Sequence, residues 1–146
     1  MPSVITPQEA NAFLGSIFNP DGGTKSIPPH TMRVVELGEG TSKIQLDPGP
    51  THLRPGGFVS GPTQMGMADL AIWMAIFSKV GITPMAMTVT LNFTFLRPCK
   101  GDLIIATGEL TRLGRTMAMG EVDIRAEGAE GASCRASGTF ALPQPT

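Results

Sequence analysis

From Gly61 to Phe77 the chain reads Gly-Pro-Thr-Gln-Met-Gly-Met-Ala-Asp-Leu-Ala-Ile-Trp-Met-Ala-Ile-Phe, apolar on nearly every helical face, with Asp69 as its one charge. A helix without a polar face belongs inside a protein. The pattern predicts a buried helix with Gly61 near its N-cap and Pro62 in its first turn, ending near Lys79, before Gly81. A different rhythm follows. Met87, Val89, Leu91, Phe93 and Phe95 alternate with Thr88, Thr90, Asn92 and Thr94, a period of two with one apolar face, which predicts a strand. Turn signals at Arg97–Gly101, Arg112–Arg115 and Glu127–Gly131 mark off strands over 102–111, 116–126 and 132–141, read together as an antiparallel meander.

Upstream, Thr6-Pro7-Gln8-Glu9 is a helix start: Thr6 as N-cap, Pro7 at the first helical position and Glu9 closing a capping box. That helix should run to Phe18 and stop at Asn19–Gly23. His30–Leu37 and Thr41–Leu46 form two strands joined by Gly38-Glu39-Gly40. Residues 47–61 hold four glycines and three prolines, a long irregular loop of the kind that carries function. The expectation is an α+β domain: a six-stranded antiparallel sheet whose apolar face wraps the central helix, with the leading helix packed outside. Residues 1–146 form one domain, of which 1–29 are an N-terminal helix and linker.

Composition narrows the function. A net charge of -1 without any run of like charges lacks the basic stripe that nucleic acid needs as a partner. Asp69 and Gln64 interrupt the one apolar segment, so a membrane span is a poor reading. The first twenty residues carry no basic n-region, so no signal peptide is expected. Cys99 and Cys134 have no metal-ligand spacing and read as reduced fillers in a cytoplasmic protein. No metal and no cofactor are implied.

Asp69 stands out against this background. Its helical neighbours, Met65, Gly66, Ile72 and Trp73, cannot pair with a carboxylate. A desolvated carboxylate without a local partner points to chemistry.

Two segments carry a resemblance over 30–141. One is His52-Leu53-Arg54-Pro55-Gly56-Gly57-Phe58-Val59-Ser60-Gly61-Pro62, followed by Ala68-Asp69. The other is Thr90–Pro98, followed by Gly101-Asp102 and Leu113-Gly114-Arg115-Thr116. Together they resemble the hotdog-fold thioesterases of the PaaI-like, 4-hydroxybenzoyl-CoA thioesterase superfamily. The first matches that family's H-x-N-x-x-G-x-x-H-G-G pattern with an acidic residue on the central helix. Arg54 stands where the family has Asn, Ser60 where it has His, and Pro62 where it has its second Gly. The resemblance implies an acyl-CoA substrate, a homo-oligomer (dimer or dimer of dimers) and a hydroxyl at Thr88 that orients water or the carboxylate. Its alternative for Thr88 is one more threonine on a strand face.

Thioester hydrolysis needs a base or nucleophile beside the carbonyl carbon and donors for the oxygen that becomes negative. Asp69 suits the first role, by direct attack or through water. The helix start at Gly61 suits the second, with free N–H groups and the positive end of the helix dipole. Eight residues of helix separate them, about 12 Å along the axis. One protomer therefore cannot supply both to one carbonyl, and the chemistry predicts an isologous dimer with two equivalent sites. For substrate contacts, His52 could bond Asp69, hold its loop or stand exposed. Gln64 could supply an amide and Ser60 a hydroxyl, and Arg54 is a further substrate-binding candidate. Coenzyme A needs cations: the Gly114-Arg115 turn is the first choice by resemblance, with Arg97 and Lys100 about 30 Å away at the other end of a strand. Met65, Met67, Met74, Met85, Met87, Met117 and Met119 could line a permissive acyl pocket or fill the core. The rival functions are a hotdog protein that binds an acyl thioester without cleaving it, a hydratase or dehydratase, and a structural oligomer without ligand.

Overall fold

The computed structural model describes residues 2–18 and 32–144. The expected strand start at His30, the helix stop at Asn19–Gly23 and the rest of the N-terminal linker lie outside them. Helix α1 spans Pro7–Phe18, followed by β1 (Met32–Gly38), β2 (Thr41–Leu46) and a 3-10 turn at Pro50–His52. Next come β3 (Leu53–Arg54), β4 (Phe58–Val59) and the long helix α2 (Gly61–Val80). Strands β5 (Met87–Phe95), β6 (Ile104–Leu113), β7 (Met117–Ala126) and β8 (Cys134–Ala141) complete the chain. The loop expected over 47–61 is thus partly ordered, as a 3-10 turn and a small β3–β4 hairpin. Thr6 and Glu9 do form the capping box: Glu9 N–H donates to Thr6 Oγ1 and Thr6 N–H to Glu9 Oε1.

The sheet has six antiparallel strands in the order β1-β2-β6-β7-β8-β5. Only β6-β7-β8 is a meander. The expected β5–β6 pairing gives way to β5 on β8 and β6 on β2. The cause is α2, which crosses the sheet face and delivers the chain to the edge opposite β1. The segment after β5 then runs back along the sheet end: Leu96 N–H donates to Ser133 O at 2.8 Å, and Val59 N–H to Cys99 O at 2.7 Å.

Three strand glycines let α2 lie close. A Cβ at Gly108 would stand 2.9 Å from the Ala71 carbonyl oxygen; at Gly120 and Gly138 it would meet Ile72 at 3.3 and 3.0 Å. Gly120 and Gly138 are direct cross-strand partners. Glycine inside a strand marks such close approach. The core formed there includes Met67, Ile72, Met74, Ile76 and Phe77 from α2 and Ile44, Ile104 and Ile124 from the sheet. Helix α1 packs outside as expected. Its Phe13 meets Trp73 and Phe77 edge-on, with centroids 5.7 and 5.5 Å apart.

Candidate active site

Asp69 lies on α2 where the helix passes β5, and its side chain is partly exposed rather than fully enclosed. The partner its helical neighbours cannot provide comes from the strand: Thr88 Oγ1 donates to Asp69 Oδ1 at 2.7 Å. Strict alternation would turn Thr88 away from the helix, with Thr90, Asn92 and Thr94. A β-bulge between Thr88 and Thr90 reverses that. One extra residue on the bulged strand puts Thr88 on the same side as Leu91, Phe93 and Phe95. Cross-strand pairing agrees, since Thr88 faces Phe140 of β8 and Phe93 faces Ala136, both buried. Burial pushes the Asp69 carboxyl above the ordinary carboxylate value, and the Thr88 hydrogen bond partly offsets the rise.

At the start of α2 almost every backbone donor is accounted for. Ser60 is the N-cap: its N–H donates to the His52 carbonyl at 2.9 Å, and its Oγ accepts from Thr63 N–H at 3.3 Å. Pro62 has no N–H. Gln64 N–H donates to the Ser60 carbonyl. Among the described residues the Gly61 N–H has no acceptor, as a helix terminus requires of some group. Gly61 lines a cleft of about 630 Å³ whose walls include Arg54, Phe58, Phe95 and Arg97. A Cβ on Gly61 would meet the Phe95 ring at 3.6 Å, an ordinary contact. Packing within the protomer does not demand glycine there, so the missing side chain leaves room in the cleft.

The other expected contacts separate. His52 is buried and accepts from Gly49 N–H at 2.8 Å through Nδ1, which makes it a staple of its own loop. Burial pushes its pKa down. The Ser60 hydroxyl is turned to Thr63 Oγ1, at 2.9 Å, as part of the cap. Gln64 lines the cleft, but Nε2 donates to Val59 O and Oε1 accepts from Ser133 Oγ. Gly114 and Arg115 stand at the β6–β7 turn, at the far end of β6 from Arg97 and Lys100. The cations next to Gly61 are instead Arg54 and Arg97, with Lys100 over the Phe58 ring at 5.3 Å. Of the methionines, Met67 and Met74 are core, whereas Met65, Met85, Met87, Met117 and Met119 are exposed. Cys99 and Cys134 are free, buried thiols with raised pKa values, chiefly from burial. Among the described residues no cluster suits a metal ion, and no helix is long and apolar enough to cross a membrane.

What sequence reasoning missed is the wall of the cleft. Phe58 and Phe95 come from two elements far apart in the chain, and no local pattern joins them. Arg97 was legible as a turn cation but not as a neighbour of Gly61, because that proximity depends on the path of the chain after β5.

Residues 56–132 match the family model described as the thioesterase superfamily. Among solved structures, a candidate thioesterase of Silicibacter sp. TM1040 is 28% identical, with a TM-score of 0.83 over 99% of this chain and 96% of that one. Zebrafish thioesterase superfamily member 2 superposes with a TM-score of 0.81 at 20% identity, over 95% of this chain and 99% of that one. A point mutant of the phenylacetic acid degradation protein PaaI from Thermus thermophilus gives 0.67 at 21% identity, over 77% of this chain and 93% of that one. No curated protein matches the chain. The chain belongs to the thioesterase superfamily, and its fold is the hotdog fold of those structures.

Proposed function

We propose that this member of the thioesterase superfamily hydrolyses an acyl- or aryl-CoA thioester to the free acid and CoA, in a site shared by two copies of the chain. One observation carries the reading: the Thr88-bonded carboxylate of Asp69 and the Gly61 N–H, which has no acceptor among the described residues, lie on one helix, eight residues apart. Each is half of what the reaction needs.

Strand β5 suggests how the halves meet. Thr88 marks the Asp69 end of β5 and Phe95 the Gly61 end. The strand is last in the sheet, and its outer edge has no partner among the described residues. Antiparallel pairing of β5 with its own copy exchanges the two ends. The Asp69 of one chain then approaches the Gly61 of the other, giving a two-fold dimer with two sites. In each site the thioester oxygen accepts from Gly61 N–H, and Asp69 works on the carbonyl carbon. Either the carboxylate adds to that carbon, or it takes a proton from a water whose oxygen adds. The oxyanion formed is held by the Gly61 N–H and the helix dipole. Collapse breaks the C–S bond and CoA leaves as the thiolate, which takes the proton Asp69 accepted in the water route or one from solvent in the direct route. In the direct route water then hydrolyses the acyl–Asp69 anhydride, releasing the free acid and restoring the carboxylate.

The test is thiol release from a panel of acyl- and aryl-CoA thioesters by wild type and Asp69→Asn. The reading expects turnover by wild type and a loss of at least about a hundredfold in the variant. The rival, an acyl-thioester binder, is favoured by the Ser60 hydroxyl and Gln64 amide being held inside the protomer. It predicts CoA-thioester binding without thiol release from either protein.

A further inference from the structure

Helix α2 is apolar nearly all round, yet the protomer leaves one line of it uncovered. Pro62, Met65 and Gly66 are exposed and Asp69 and Trp73 partly so, while every other residue from Thr63 to Ser78 is buried. Steps of three, one, three and four residues put these five on a single helical face. The opposite side, at Ala71 and Ile72, rests on the strand glycines. Along the open line, cover begins only at Trp73. There Phe13 of α1 lies edge-on to Trp73 and Phe77, and Phe77 is fully buried. The uncovered stretch is therefore the half of α2 that carries Asp69, and Asp69 is its one charge.

In the proposed dimer the partner covers the first part of this line. The two-fold exchange of Gly61 and Asp69 brings the segments between them alongside their copies. Trp73 falls outside that overlap, one turn or about 6 Å beyond Asp69. Its ring is fixed: Nε1 donates to the Thr83 carbonyl at 3.3 Å, and Phe13 and Phe77 stand edge-on with centroids 5.7 and 5.1 Å away. With that N–H bonded, Trp73 and Phe13 present only carbon.

Two groups leave the thioester carbonyl at Asp69: the acyl group, and the sulfur with its amide-bearing pantetheine arm. Toward the sheet the way is closed by Thr88 and by buried Phe140, its partner across β5 and β8. Along α2 the way leads to Trp73 and Phe13. An apolar surface without a free donor or acceptor suits the acyl group and not the arm, whose amides would lose water there without gaining partners. We infer that the acyl group runs from Asp69 along α2 and ends against Trp73 and Phe13. The substrate class is then an uncharged ring, or a chain about as long as one helical turn, with Phe13 and Trp73 setting the length. This assignment rests on the proposed role of Asp69. It gives α1, which lies outside the residues that match the family model, a part in specificity.

Calorimetric titration of S-alkyl-CoA thioethers, from S-ethyl to S-decyl, into the full chain tests the assignment with ligands that are not hydrolysed. Wild-type affinity should rise about fourfold per added methylene. It should stop rising at roughly five carbons, the length of one helical turn. Trp73→Leu and Phe13→Leu, apolar replacements that keep most of the core filled, should each move that ceiling to longer chains. Residues with a purely structural role would instead weaken all lengths alike. Affinity that climbs unbroken to S-decyl in wild type would overturn the inference. So would the absence of any length dependence, or a ceiling that both variants leave where it is. Because nothing is cleaved, the outcomes are separable from those of the hydrolase reading. A ceiling that the variants move, without thiol release from any thioester, would leave this inference standing and remove the hydrolase; thiol release with a fixed ceiling would do the reverse.

Discussion

At one edge of the sheet, Asn11 of α1 lays its amide along β1: Nδ2 donates to the Val34 carbonyl and Oδ1 accepts from Val34 N–H, both at 2.8 Å. A bridge between Pro2 and Gly38 and a bulge between Val34 and Glu36 complete the closure. At the other edge, β5 has no such cover among the described residues, and Met87, Val89 and Phe95 are 62%, 52% and 46% exposed. Proteins blunt free strand edges because such edges recruit other chains. The proposed dimer uses that contrast, continuing the sheet at β5, where apolar residues are left exposed. The open edge is also the one that carries Thr88, and so Asp69.

The strongest way to break the contrast is to make β5 resemble a blunted edge. Met87→Lys with Val89→Lys adds like charges along it. The double variant should be monomeric by sedimentation, with its circular dichroism retained, and should lose about a hundredfold or more in thiol release, because each site loses its other half.

Thr88→Val sharpens the contrast by removing the hydroxyl that links the open edge to the chemistry. In the proposed mechanism Asp69 works as the carboxylate, so kcat/KM should fall as pH falls through its pKa. That pKa is raised by burial and lowered by Thr88. Without the hydroxyl the acid limb should move to higher pH, with about a tenfold loss at pH 7 that Thr88→Ser restores. A pH–rate profile of the three proteins checks this. Stability runs the other way. A carboxyl whose pKa is raised by folding contributes stability that is full below its unfolded pKa and is lost as pH rises through the folded value. Asp69→Asn should therefore unfold at no lower temperature than wild type at pH 7.

The smallest effect belongs to the closed edge. Asn11→Ala removes two hydrogen bonds from β1 and should reduce stability by about 1–2 kcal/mol in urea titrations, leaving kcat unchanged.

The sequence made the elements legible wherever the pattern was local. The unbroken apolar run of α2, the capping box at Thr6 and Glu9, and the turns around the β6-β7-β8 meander all follow from neighbours in the chain. Asp69 was legible for the same reason, as a charge with no helical partner. The order of strands was not local: the place of β5 beside β8 depends on how α2 crosses the sheet. Thr88 illustrates the limit most clearly. Perfect alternation in Met87–Phe95 hides the bulge, and without the bulge Thr88 would face away from the helix. Gln64 and Ser60 looked free by residue type, and their hydrogen bonds to Val59, Ser133 and Thr63 could not be read from the sequence. Gly108, Gly120 and Gly138 carried a readable signal, glycines inside strands, that marks the line along which α2 rests.

The central claim is that Asp69 of one chain works with Gly61 of another, and subunit complementation tests it most directly. Asp69→Asn and Gly61→Val, each inactive alone, are co-expressed with different tags, and the heterodimer is purified through both. A shared site predicts one intact and one doubly altered site per heterodimer, and so about half the wild-type thiol release. If each site lay within a single chain, both sites would carry a defect. A heterodimer as inactive as its two parents would contradict the account.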